Sequence, residues 1–214
     1  MKLAILGVGN VGSALARGWR RTGHQVLLGV RDPAKRDVVA LAEQIGASVH
    51  SVNEAAQAAS VIVLAVPWGS VDQALKDAGD LDGKVLIDCT NPIDMVDGQL
   101  GLTIGHATSG GEYVAERAKT ARVVKTLNQA AAELLAENDE LEGRPLMFVA
   151  GDDDDAKTTA TALVRELGFD VHDAGDIRVS RLLEPLGMLW LNQAIYQNSG
   201  RNWAFGMVRR ARGR

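Results

Sequence analysis

Gly7, Gly9 and Gly12 stand in the spacing G-x-G-x-x-G, directly after the apolar run Leu3 to Leu6. A helical pattern carrying Ala14, Leu15, Gly18 and Trp19 follows at once. Glycines so placed can bring a backbone up to a phosphate. Gly7 permits the tight turn out of the strand, Gly9 lets the main chain approach a pyrophosphate, and Gly12 lets the helix pack closely on the sheet. The phosphates would sit at the helix N-terminus, where unpaired N–H groups and the helix dipole favour negative charge. A glycine-rich turn alone needs no ligand, so the surrounding elements decide. Gly23 closes the helix as a left-handed cap, and a second apolar run, Val26 to Val30, completes a strand–helix–strand unit of about 30 residues. That context predicts a dinucleotide site.

The end of the second strand selects the dinucleotide. An NAD site keeps an acid there for the ribose 2′-hydroxyl. This chain has Val30, then Arg31, with Lys35 a turn later. Cations at that point suit a 2′-phosphate, which predicts NADP(H). The rival is Asp32 as the ribose acid. Asp32 precedes Pro33, which suits it better to a helix N-cap with proline at the first helical position.

Ligands of an open parallel sheet bind beyond the carboxyl ends of its strands. Here those ends are the glycine turn, Pro67-Trp68-Gly69, Thr90-Asn91-Pro92 and the segment Thr126 to Gln129. Pro67 and Trp68 could wall a planar nicotinamide, with Asn91 and Asn128 supplying amide hydrogen bonds; the alternative for Trp68 is an aromatic that closes the core. No acid–base constellation is visible, and no catalytic residue is assigned. His106 is the one histidine worth testing, and Lys125 a candidate proton donor. Asp152 to Asp155 lie between a strand and a helix, where they serve N-capping better than metal binding. No metal ligands are assigned. Arg209, Arg210, Arg212 and Arg214 would favourably end a C-terminal helix.

These residues need a scaffold of alternating strands and helices. Strands are expected at Ala47 to Val49, Ser60 to Val66, Val85 to Asp88, Arg122 to Thr126, Leu146 to Ala150 and Phe169 to His172, besides the first two. Helices are expected at Asp37 to Ile45, Asn53 to Ala59, Ser70 to Ala78, Tyr113 to Ala118, Ala130 to Glu137 and Asp155 to Leu167. A glycine-rich loop spans residues 94–109. The pattern predicts an α/β fold with a doubly wound, mainly parallel sheet over 1–176. Residues 177–214 are expected as a helical appendage, helical from Ser180 to Trp203 and started or kinked by Pro185. The net charge of -4 argues against nucleic-acid partners, and no apolar run reaches the roughly 18–20 residues of a membrane span. A single cysteine, Cys89, excludes an internal disulfide. The chain enters its first strand with no signal-peptide pattern, so a cytoplasmic location is expected.

The segments ILGVGNVGSALA, GHQVLLGVR with Lys35, AVPW, ARVVKTLN and above all GDDDDAKTTATALVRELGFDVHDAGDIRVSRLLEPLGMLWLN resemble the coenzyme F420-dependent NADP oxidoreductases. That family shares its fold with the reductase domain of the six-transmembrane epithelial antigen metalloreductases. The resemblance implies a Rossmann-like NADP(H)-binding domain, a homodimer, and hydride transfer to or from a flavin-type acceptor: coenzyme F420, FMN or FAD. It implies that the turn Val8, Gly9, Asn10 and Val11 holds the pyrophosphate. Arg31 and Lys35 would hold the 2′-phosphate, and Ala65, Val66, Pro67, Trp68 and Asn128 would line the nicotinamide. Two positions depart from the pattern. Val30 stands where the family often has Ser or Thr, and Asn128 where archaeal F420 enzymes carry a His. Two other functions fit the residues: reduction of a small imine or hydroxy acid, which would need a proton donor, and a non-catalytic NADPH-binding module.

Overall fold

Leu3 and Ile5 face one side of the first strand, Ala4 and Leu6 the other, and all four are completely buried. Val61 and Val63 against Ile62 and Leu64 repeat the pattern. Strands that are apolar on both faces require cover on both, which is the condition of a parallel sheet flanked by helices. The computed structural model of the chain, which describes residues 1–210, has that arrangement. In chain order it runs β1 (Lys2–Leu6), α1 (Asn10–Arg21), β2 (Gln25–Val30), α2 (Arg36–Ile45), β3 (Ser48–Ser51), α3 (Val52–Ala58), β4 (Val61–Leu64), α4 (Val71–Ala78) and β5 (Val85–Asp88). Then follow β6 (Ile93–Val96), β7 (Gln99–Leu102), α5 (Gly110–Arg117), β8 (Arg122–Lys125), α6 (Ala132–Ala136), β9 (Leu146–Gly151), α7 (Asp154–Glu166), β10 (Asp170–Gly175) and α8 (Ser180–Ile195).

The main sheet has the order β10-β9-β8-β5-β4-β1-β2-β3. Six strands from β3 to β8 are parallel, and β9 reverses, pairing antiparallel with β8 and parallel with β10. The strand order turns back between β1 and β4, the switch point where such sheets bind ligands. One core, built around Trp19, Leu41 and Leu163, fills the α1, α2 and α7 face. A second, with Ala55, Leu75 and Val114, fills the α3, α4 and α5 face. The fold is a Rossmann-like, doubly wound, mainly parallel α/β sheet with a C-terminal helix. No helix among the described residues is long and apolar enough to cross a membrane.

Some expectations need correction. Residues 94–109 are not wholly loop: β6 and β7 form an antiparallel hairpin whose tip, Asp97-Gly98, has φ of 51° and 81°. Positive φ at both tip residues is the type I′ geometry that Asp-Gly supports. The C-terminal helix ends at Ile195 rather than Trp203, and Asn198 sits in the left-handed region (φ 56°). Beyond it the chain folds back, so that Trp203 stacks on Trp190 at 5.6 Å and Leu146 N–H donates to the Phe205 carbonyl at 2.7 Å. Arg209 and Arg210 therefore end no helix; Arg212 and Arg214 lie outside the described residues. Of the two places open to Pro185, the start of the helix or its interior, the structure shows the interior.

Candidate cofactor-binding site

The turn from β1 into α1 is built by steric exclusion. Gly7 has φ 95°, and a Cβ there would stand 2.6 Å from the Ala65 carbonyl oxygen. A Cβ on Gly12 would stand 1.9 Å from the Gly7 carbonyl oxygen, so helix and turn touch backbone to backbone. Gly9 is the contrast: nothing lies within 4 Å of its Cβ position, so the turn there borders open space. Gly9 is also the N-cap of α1, no side chain caps the helix, and its first turn has no acid. The unpaired first-turn N–H groups of Asn10, Val11 and Gly12 thus meet an opening with no competing carboxylate. Ser13 Oγ donates to the Val8 carbonyl and fixes the turn from below.

Arg31 follows the last residue of β2, is exposed, and makes no hydrogen bond or ion pair among the described residues. Val30 is half-buried and packs against the first core. Lys35 is exposed and bonded to Asp37 at 2.9 Å, which holds the Asp37 carboxyl below its usual range. Asp32 does not cap α2, whose N-cap is Lys35. Its Oδ1 accepts the Ala34 N–H at 3.0 Å in a local turn, and it is thereby occupied within its own loop.

Ala65 and Val66 pack beside the Gly7 turn, and Pro67 is exposed. Trp68 is half-buried against the second core, with its ring 5.1 Å from that of Tyr113 and tilted by 57°. It is thus both a core-closing aromatic and a rim residue. Asn91 and Asn128 meet each other: Asn128 Nδ2 donates to Asn91 Oδ1 at 2.9 Å, and Asn91 Nδ2 to the Asn128 carbonyl at 2.9 Å. Asn128 Nδ2 also donates to the Leu183 carbonyl at 3.1 Å, and its Oδ1 accepts from Gln129 at 2.9 Å. The Asn128 amide is buried with both its N–H donors taken up by protein, so it braces the rim rather than offering free donors to a ring. Leu127 before it holds φ 61°, a left-handed conformation costly for leucine.

Below this rim lies a group the sequence did not reveal. Lys125, Asp88 and Glu184 have fully buried side chains, with Lys125 Nζ 2.9 Å from Asp88 Oδ2 and 2.9 Å from Glu184 Oε1. Nζ also donates to the Thr90 carbonyl at 2.6 Å. Burial alone would pull the lysine pKa down; the charges of Asp88 and Glu184 outweigh it and hold the pKa above the usual value. With Nζ held by Asp88, Glu184 and the Thr90 carbonyl and the side chain fully buried, Lys125 is placed as a structural cation rather than presented to a substrate. Asp88 Oδ1 accepts from the Thr90 N–H and hydroxyl, and Glu184 accepts the Gly110 and Gly111 N–H groups at 2.9 Å each. Each carboxylate oxygen meets only donors, as ionised groups do. Cys89 beside them is buried, and burial, reinforced by Asp88, raises its thiol pKa far above the usual range.

His106 is exposed with φ 57° and borders a separate cavity of about 600 Å³ between the hairpin and the start of α8. Asp153 caps α7, accepting the Ala156 N–H at 2.7 Å, and Asp152 accepts the Ile177 N–H at 3.0 Å. No group of His, Cys, Asp and Glu that could hold a metal ion is present among the described residues.

The model of the family "NADP oxidoreductase coenzyme F420-dependent" matches residues 2–92, which contain the glycine turn, Arg31, Trp68 and Asn91. A crystal structure from Arthrobacter sp. FB24, provisionally assigned as an F420-dependent NADP-reductase, superposes with a TM-score of 0.90 at 32% identity. The superposition covers 98% of this chain and 100% of that one. The chain belongs to the F420-dependent NADP oxidoreductase family. Its members are NADP-dependent oxidoreductases, and this chain falls in that enzyme class. The hypothetical protein SMa0349 from Sinorhizobium meliloti has a TM-score of 0.75 at 28% identity, covering 86% of this chain and 90% of that one. Metalloreductase STEAP3 of Rattus norvegicus is 30% identical over 190 residues, 88% of this chain but only 37% of that protein. The chain thus spans little more than a third of that relative. An imine reductase from Myxococcus stipitatus, at 18% identity and a TM-score of 0.68, covering 92% of this chain and 63% of that one, shares the fold.

Proposed function

We propose that this family member binds NADPH across the β1–β4 switch point and reduces a flavin-type acceptor: F420, FMN or FAD. The observation that carries the proposal is the pairing of an uncapped, acid-free α1 N-terminus at open Gly9 with the cation Arg31 at the end of β2, which has no partner among the described residues. The turn Gly7 to Gly12, with Val8, Asn10 and Val11, holds the pyrophosphate through backbone N–H groups. Arg31 holds the 2′-phosphate beside Val30. Lys35 joins it by exchanging its contact with Asp37. Ala65, Val66, Pro67 and Trp68 flank the nicotinamide, and the Asn91–Asn128 pair fixes the rim behind them.

NADPH supplies the hydride when bound. The protein contributes position, because such a transfer depends on holding two rings in register more than on an acid or base. Locked Lys125 and a half-buried Trp68 agree with that division of labour. We further propose a cytoplasmic homodimer, joined through the exposed apolar residues Leu182, Leu189 and Ile195 of α8.

Stopped-flow oxidation of NADPH in the presence of F420, FMN or FAD tests the proposal. One acceptor should turn over well above background, and failure of all three overturns the assignment.

A further inference from the structure

Three charges are sealed behind the wall of the proposed nicotinamide site: one positive, on Lys125, and two negative, on Asp88 and Glu184. Their placement beside that wall is fixed by a single glycine. A Cβ on Gly110 would meet Glu184 Oε1 at 3.0 Å, Pro92 Cδ at 3.2 Å and Trp68 Cζ3 at 3.2 Å. Asp88 pairs in register with Leu64, the residue immediately before Ala65. Glu184 and the Trp68 ring thus both border Gly110, and Asp88 lies one strand over from the end of β4 that leads into Ala65 to Trp68.

Taking the NADPH site as proposed above, we infer that the excess negative charge of this cluster favours the oxidised, cationic nicotinamide, making Asp88 and Glu184 long-range electrostatic determinants of hydride donation. A nicotinamide ring gains one positive charge when it gives up a hydride. A fixed negative charge nearby stabilises the product and not the reactant, which is the differential effect that alters an equilibrium. The N-terminus of α5, whose Gly110 and Gly111 N–H groups bind Glu184, offsets about half a unit of that charge. Half a charge at about 8 Å in a medium of effective dielectric about 20 changes the relative affinity for the two redox forms by roughly five- to tenfold.

The burial of the cluster also explains why it can act so. Exposed charges are screened by salt, whereas sealed ones are screened far less. A purely mechanical role, clamping α8 to the sheet, predicts a different pattern: lower stability with no change in redox preference.

The test is the ratio of dissociation constants for NADP+ and NADPH, measured by titration of the intact protein. The wild type should bind NADP+ at least as tightly as NADPH. The near-isosteric Glu184→Gln and Asp88→Asn each remove a whole negative charge, and should each shift the ratio toward NADPH by about thirtyfold, equally at low and high salt. A tenfold shift corresponds to about 30 mV in the potential of the bound couple. A folded variant with an unchanged ratio overturns the inference, as does a wild type that prefers NADPH by more than tenfold. Wild-type protein that binds neither form overturns the cofactor assignment, and the inference with it.

Discussion

Replacing Arg31 by alanine isolates one contact. Arg31 is exposed and bonded to no protein group among the described residues, so its removal should leave folding stability within about 0.5 kcal/mol of wild type. What it should remove is a charge-assisted hydrogen bond to a 2′-phosphate. Such bonds are worth about 1.5–3 kcal/mol, and solvent exposure places this one toward the lower end. At 1.36 kcal/mol per tenfold, a loss of about 1.5–2 kcal/mol weakens NADPH about ten- to thirtyfold. NADH, which lacks the phosphate, should bind the variant as it binds wild type. Lys35→Ala should cost less, because Lys35 must leave Asp37 to reach the ligand. Fluorescence titration with NADPH and NADH, with thermal melts to verify folding, measures all of these quantities. Equal wild-type affinities for the two nucleotides, or equal weakening of both by Arg31→Ala, would refute the reasoning.

Two further outcomes concern stability. Lys125→Met leaves Asp88 and Glu184 buried without their shared cation, and breaking a buried ion pair in this way costs about 3–5 kcal/mol, readable as a large drop in denaturation midpoint. Glu112 is held below the usual glutamate pKa mainly by its hydrogen bonds from Arg181, against the opposing effect of burial. A carboxylate with a lowered folded-state pKa contributes stability that is present above the ordinary value of 4.5 and is lost as pH falls through the folded value. Melts of Glu112→Gln should therefore show a shallower fall below pH 4.5 than wild type, and identical slopes would contradict the assignment.

The main sheet could be read from the chain because its signals are local. The central strands are short apolar runs, the longer helices carry their own period, and the glycine spacing needs no distant partner. The hairpin at 93–102 was also signalled, by Asp97-Gly98 between Met95-Val96 and Gln99-Leu100, but the surrounding glycines suggested loop. The end of α8 is not legible in the sequence, because Trp203 continues the apolar character of the helix while serving a turned-back tail that stacks on Trp190. Asp32 looked like a cap because of Pro33, yet it bonds Ala34 and leaves the cap to Lys35. The Asp88–Lys125–Glu184 cluster had no sequence signal. Its members lie 37 and 59 residues apart, and charged residues are rarely fully buried.

Along α8, Ser180 abuts Gly111, Glu184 reaches Lys125, Gly187 lies against the Asn128 carbonyl, and Trp190 joins the tail cluster. One rod is thus keyed at four successive levels. Since each residue turns a helix by about 100°, adding or deleting a single residue between positions 180 and 190 would swing every later key out of its lock. An insertion or deletion in this part of the molecule should therefore be tolerated only outside the rod, before Ile177 or after Ile195.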